Sequence, residues 1–270
     1  MIVFILPIAA VFTVFFVLPL GLVVLASLFD PSLTGSNYRE LVTSLLYLRV
    51  LRSTLEISGL STIATLLIAY PVAYHLYRQP PRRRTLLMTL VLLPFWTSIL
   101  VKSFAFTVLL GQDGIINNIA RALFGPETGF KLLFNRPGVI VGMAHYLLPF
   151  MIFAILTSLM AQNPDLRRAA EVMGASRVKI FRSITLPLSM PGVVAGCLIC
   201  LVLSLGMFVT PALLGGPKDM MLANLVEIHV RQTLDWGLAA ALTVFLIVMT
   251  AALSAIVSRV RGGGGMGMHG

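Results

Sequence analysis

The sequence predicts an all-α polytopic membrane protein with six transmembrane helices. Three observations lead there. Of the 270 residues, 58% are hydrophobic and only 11% are charged, far too few polar groups to cover a soluble domain of this length. The apolar residues gather into six runs, each able to supply the ~20 residues that cross a bilayer. The charges gather between those runs. The formal net charge of +10 would otherwise point to nucleic acid, but no single basic patch carries it.

In order along the chain, the first span is Ile2 to Phe29. It is longer than the core of a signal peptide and lacks a basic leader, so no cleavable signal is expected. A polar stretch from Asp30 to Arg52 follows, whose middle, Tyr38 to Val42, reads as an interfacial helix. The second span, Leu51 to Tyr77, ends in Arg78 and then Arg82, Arg83 and Arg84. The third is Thr85 to Leu110, followed by a long loop, Gly111 to Pro137. The fourth is Gly138 to Ala161, the fifth Ile184 to Leu214, and after a loop to Asp235 the sixth is Trp236 to Val257. Pro71, Pro94, Pro149 and Pro211 lie inside spans, which bilayers tolerate where neighbouring helices or water meet the freed backbone groups. Gly138 with Gly142, and Gly192 with Gly196, have the spacing for close helix contacts. Residues 1–261 are expected to form one transmembrane domain, and the Gly-rich residues 262–270 a flexible tail.

Lys and Arg in short loops set orientation. They cluster in the loop between the second and third spans, in the loop between the fourth and fifth (Arg167, Arg168, Arg177, Lys179, Arg182), and at Arg259 and Arg261. The opposite loops mix fewer bases with acids. The basic loops and both termini are therefore expected in the cytoplasm.

The most structured of these loops is Asn163 to Gly192, which reads as two short helices with a sharp bend. Asn163 is an N-cap, Pro164 suits the first helical position, and Asp165 faces the positive end of the dipole. Leu166, Ala169, Ala170 and Met173 recur at helical spacing as one apolar stripe. Gly174 ends the helix, since a left-handed residue is easiest without a Cβ. Ser176 caps a second helix with Val178 and Phe181 on one face, and Pro187 and Pro191 mark the return to the membrane. A knuckle of this kind suits a groove on another protein.

Catalytic motifs are missing from the sequence. There is no G-x-x-x-x-G-K-[ST] loop to cradle phosphates, no H-E-x-x-H, and no Ser-His-Asp grouping. His145 reads as a hydrogen-bonded packing residue, and Cys197 and Cys200 as small packing residues in an apolar run. No metal site is expected. The chain therefore moves something, using energy from a partner or a gradient. Glu56 and Lys102 are ionisable groups within spans and so are pathway candidates, beside structural roles in hydrogen bonding and interfacial anchoring. Tyr70, Tyr74 and Trp96 offer cation–π faces, or packing surfaces.

The knuckle resembles the cytoplasmic EAA loop of the permease subunits of binding-protein-dependent ABC importers. The match lies in Ala169-Ala170, Gly174-Ala175, Phe181, Leu186-Pro187 and Pro191-Gly192, in order and spacing. Arg168 stands where that family's pattern has Glu, with Glu171 three residues on. The resemblance implies a coupling loop over residues 163–183, with Leu166, Arg168, Ala169, Ala170, Glu171, Met173, Gly174, Ala175 and Phe181 at the motor subunit. Further stretches are similar to the spermidine/putrescine permease group: Asn37-Tyr38, Tyr47 to Arg49, Ala69 to Tyr74, Pro94 to Ser98 and Leu109 to Asn118. Permeases for opines, other amines or amino-acid derivatives, phosphonates and ferric ion share parts of them. The resemblance implies a subunit without a cofactor of its own in the bacterial inner membrane. It would pair with a second permease, two ATPase subunits carrying ATP and Mg, and a periplasmic binding protein. An ion-coupled carrier is the competing class, weakened by the scarcity of buried carboxylates.

Overall fold

The computed structural model describes residues 10–30, 32–33 and 35–262. The start of the expected first span and residues 263–270 of the expected tail lie outside them. Apart from a two-residue antiparallel pairing of Phe29–Asp30 with Ser32–Leu33, the described chain is built from helices and their connections. Six helical stretches are long and apolar enough to span a bilayer: Ala10–Leu28, Leu45–Tyr77, Ile99–Phe124, Arg136–Met160, Arg177–Leu205 and Trp236–Ile256.

The helices are named in chain order: α1 (Ala10–Leu28), α2 (Ser36–Thr43), α3 (Leu45–Tyr77), α4 (Pro81–Leu92), α5 (Ile99–Leu110), α6 (Ile115–Phe124), α7 (Arg136–Met160), α8 (Pro164–Val172), α9 (Arg177–Leu205), α10 (Val209–Leu214), α11 (Leu222–Ile228) and α12 (Trp236–Gly262). At the centre, α7 packs between α3 and α9. The face of α3 toward α7 carries small side chains, Thr54, Ser58, Ser61, Thr65, Ala69 and Ala73, all buried. Small residues let two backbones approach closely where lipid provides no hydrophobic drive for association. Thr54 and Thr65 donate to the carbonyl four residues back, Ser61 donates to Met143 Sδ on α7, and Ser58 Oγ has no partner among the described residues. Leu147, Met151, Ile155 and Leu159 of α7 fill the core against Ala69, Ala73 and Leu76 of α3 and Val193 and Cys200 of α9. On the α9 side the backbones meet at Gly192 and Gly196, where an added Cβ would strike Ser158, the Ala154 carbonyl and Met151 Sδ. The expected close contact at this glycine pair is therefore real. α1 lies along α12 and exposes Phe12, Phe15 and Phe16, as a lipid-facing helix does.

Several boundaries differ from the sequence reading. α3 begins at Leu45, not Leu51, because Tyr47 and Val50 are buried against Leu222, Leu225 and Leu242. Tertiary packing thus extends this helix to 33 residues, about 50 Å and longer than a ~30 Å hydrocarbon core needs. The expected third span is broken. Pro94 has no N–H for the Leu90 carbonyl, the chain tightens to a 3₁₀ turn at Leu93–Trp96, Thr97 is extended, and Ser98 recaps the helix by accepting from the Leu100 amide at 3.3 Å. The two long loops contain helices α6 and α11. The expected fifth span divides at Gly206 into α9 and α10. At its start, a π turn over Phe181–Thr185 joins the second knuckle helix to the membrane helix without a break.

Candidate functional site

Local chemistry builds the knuckle. Asn163 Oδ1 accepts from the Asp165 amide at 2.9 Å and caps α8. The other end closes as a Schellman motif: the Ala175 amide donates to Ala170 O and the Gly174 amide to Glu171 O, both at 3.0 Å. That geometry puts Gly174 at φ +78°, the left-handed region. Ser176 Oγ then accepts from the Lys179 amide at 3.3 Å and starts α9. These are the caps and the bend that the sequence predicts.

The apolar stripe divides in two. Ala170 is buried, and so is Ile180, which the sequence reading left unassigned. Leu166 faces out, with Met173 at 79% exposure, Val172 at 88%, and Val178 also exposed. Val178 and Phe181 do not share an environment, since Phe181 is half-buried. Ala169 is exposed and Ala175 half-buried. Arg168, at the position of the expected Glu, pairs with Asp165 at 3.2 Å, and Arg167 pairs with Glu171 at 3.0 Å. The acids of α8 thus neutralise their own neighbours, and Arg177, Lys179 and Arg182 stay exposed beside the apolar quartet.

Phe181 connects the knuckle to the bundle. Its ring meets Tyr74 edge-to-face with centroids 5.2 Å apart, and Tyr70 likewise at 6.0 Å. The Tyr70 hydroxyl bonds Ser189 Oγ at 2.9 Å, and the Arg78 guanidinium stands 5.8 Å over the Tyr74 ring. Neither tyrosine, read from sequence as a pathway candidate, is free to meet a solute without leaving these partners. Their spacing of four residues puts both on one helix face, but nothing in the sequence identifies the ring they grip.

The remaining candidates lie elsewhere. Glu56 is engaged at both oxygens, by Arg52 Nε and by Arg136 Nη1, each at 2.6 Å. Arg136 also reaches Asp219 Oδ1 at 3.1 Å, and Asp219 Oδ2 accepts from the Gly216 amide at 3.2 Å. Of Glu56's two cations, Arg52 is visible from sequence at helical i−4 spacing, whereas Arg136 and its second acid, Asp219, lie 80 and more residues away and carry no local signal. Lys102 lines a cavity of about 210 Å³ at the α4–α5 break, with its ammonium 5.4 Å from the centre of the Tyr146 ring. Pro94, His145 and Pro149 line the same cavity, and the His145 ring packs against Phe106. Trp96 is 85% exposed at the break itself. A second, larger groove of about 640 Å³ runs along α7 and α9 past Phe150, Phe153, Pro191 and Ile199.

Comparison with known proteins agrees with this architecture. Residues 61–262 match the family described as binding-protein-dependent transport system inner membrane component. The chain is 36% identical to the spermidine/putrescine transport system permease protein PotB of Haemophilus influenzae, over 89% of this chain and 87% of that protein. It is 32% identical to PotB of Escherichia coli K12, over 80% and 78% respectively. Its fold is similar to a chain in the crystal structure of a bacterial ABC transporter that imports alginate, with TM-score 0.76, 22% identity, and coverage of 96% of this chain and 93% of that one. Six apolar helices, a capped basic knuckle and this match across three-quarters of the sequence together establish that the chain belongs to the binding-protein-dependent transport family, as a multi-pass inner-membrane permease subunit.

Proposed function

We propose that the chain forms half of the translocation pathway of an ATP-driven polyamine importer. In this reading residues 1–261 act as one transmembrane domain beside a second permease subunit. A periplasmic binding protein delivers cargo, and two cytoplasmic ATPase subunits hold ATP and Mg and perform the hydrolysis. Knuckle and termini face the cytoplasm, following the Lys and Arg distribution. The observation that carries this reading is the knuckle: a rigidly capped bend whose exposed Leu166, Val172, Met173 and Val178 are ringed by bases and left uncovered by the other described residues. Apolar side chains presented in this way fit a groove on another protein. Arg168, Ala169, Glu171 and Ala175 flank the contact, and Ala170, Gly174 and Phe181 shape it. ATP-driven closure of the motor moves the knuckle, and the bundle follows, provided the motor contact differs between the two states.

Polyamine cargo is supported by the relatives named as spermidine/putrescine permeases. Within this chain, Lys102 and Trp96 at the α4–α5 break are the pathway residues. Glu56, held by two guanidinium groups, braces α3 against the start of α7. The test is purification in mild detergent, then reconstitution with the co-purifying subunits and binding protein. ATP-dependent uptake of labelled putrescine or spermidine is the expected result. Uptake driven by an ion gradient without any ATPase would overturn the reading, and transport of another solute only would overturn the cargo.

A further inference from the structure

We infer that Tyr70, Tyr74 and Phe181 form a clasp that makes α3 follow the knuckle, so that these tyrosines are positioning residues of the transport stroke. The inference rests on the importer reading above. The knuckle is covalently continuous with α7 and α9 only. A push on it reaches α3 through side-chain contact, along the packing of α7 and α9 on α3 and, more directly, where the knuckle's own end touches α3. Phe181 is the side chain placed to do this, because it opens the π turn that joins the knuckle to the membrane part of α9. Wide i→i+5 turns are local irregularities that mark functional points in helices, and here the Leu186 amide returns to Phe181 O across that turn.

The grip on Phe181 has three parts. Tyr70 and Tyr74, one turn apart on α3, present ring faces at 81° and 71° to the Phe181 ring. Edge-to-face pairs resist sliding, because their attraction depends on the angle between the rings. The Tyr70 hydroxyl bonds Ser189 Oγ, whose own proton goes to Leu186 O at 2.8 Å, so α3 is tied to α9 on the membrane side of the π turn as well. Arg78 over Tyr74 holds the outer ring from the solvent side. α3 then meets α7 through its close-packed small-residue face, so a displacement of α3 moves the core rather than being absorbed in it.

The decisive readout is solute moved per ATP hydrolysed in the reconstituted complex, a ratio that a lower yield of protein does not change. Tyr74→Leu and Phe181→Leu keep an apolar side chain and remove the ring. Each is expected to lower the ratio roughly tenfold, within the usual range of coupling between sites. Tyr74→Phe keeps the ring and is expected to retain the ratio. Tyr70→Phe, which loses only the Ser189 bond, is expected to fall between them. Leucine variants that move as much solute per ATP as the wild type would overturn the clasp. If the wild type itself moves solute without hydrolysis, the importer reading fails instead. If Phe181→Leu does not assemble, Tyr74→Leu decides alone: a reduced ratio supports the clasp and an unchanged one removes it.

Discussion

Arg136 reaches back along the chain to Glu56, with Nη1 2.6 Å from Oε2, while its Nε lies 3.1 Å from Asp219 Oδ1. One guanidinium thus joins the start of α7, the first half of α3 and the loop before α11. A planar fork of donors suits two carboxylates at once, which an ammonium does not. Arg136→Met leaves Asp219, whose side chain is 8% exposed, without its cation. The expected loss of stability is about 2–3 kcal/mol, less than for a fully buried pair because Arg136 is partly open to solvent. Thermal unfolding in detergent measures it, and an unchanged midpoint would refute the strut. Glu56→Gln is expected to cost less, since Glu56 lies nearer water and its second partner, Arg52, is exposed.

Gly174 is expected to govern coupling more than folding. Its φ of +78° excludes most side chains, yet a Cβ there meets nothing within 4 Å. The penalty of Gly174→Leu is therefore conformational, about 1–2 kcal/mol, and falls on the bend alone. Membrane insertion should be normal and ATP-dependent uptake lost. Gly174→Asn, which tolerates the left-handed region, should retain most of the uptake. Normal substrate-stimulated ATPase activity with full uptake in the leucine variant would show that the bend is not needed.

The knuckle was legible in the sequence because its determinants lie within a few residues of one another. Asn163, Gly174 and Ser176 each act on their own turn, and each does what its residue type predicts. The number of spans was legible because hydropathy is also local, but the third lies at Ile99–Phe124, past the break, and not at Thr85–Leu110. What was hidden depends on distant partners. Helix α3 starts early because α11 and α12 bury Tyr47 and Val50. The packing of Tyr70 and Tyr74 on Phe181 was hidden because that ring lies on another helix. Pro94 was visible as a breaker, but its effect needed Thr97 and Ser98 as well: the proline removes one hydrogen bond, and the serine supplies the cap that lets α5 restart.

Lys102 carries a cation inside a span, next to Tyr146 and without a carboxylate partner among the described residues. If polyamines pass its cavity, like charge opposes them, and a low effective dielectric strengthens the repulsion. Lys102→Met is therefore expected to lower the KM for putrescine severalfold, with kcat changed less. Lys102→Glu should lower it further. Uptake kinetics at fixed ionic strength provide the check. A KM that stays constant through all three side chains would remove Lys102 from the path.

A close backbone approach between two core helices gives the last expectation. At Gly192, α9 lies so close to α7 that a Cβ would collide with Ser158 Cβ and come within 2.7 Å of the Ala154 carbonyl. Neither atom can turn aside, since a Cβ is fixed by its backbone and the carbonyl is itself part of the α7 backbone. Gly192→Val must therefore push two helices apart along the seam that holds Met151, Ile155 and Val193. The expected cost is about 3 kcal/mol, at the upper end for overpacking because backbone must move. Gly59 on α3 is the matched control, since nothing lies within 4 Å of a Cβ there. Gly59→Ala should raise stability by about 0.5–1 kcal/mol, through helix propensity alone. Opposite shifts of the two unfolding midpoints would separate packing from propensity, whereas an unshifted Gly192→Val would mean that the seam between α7 and α9 is looser than its geometry indicates.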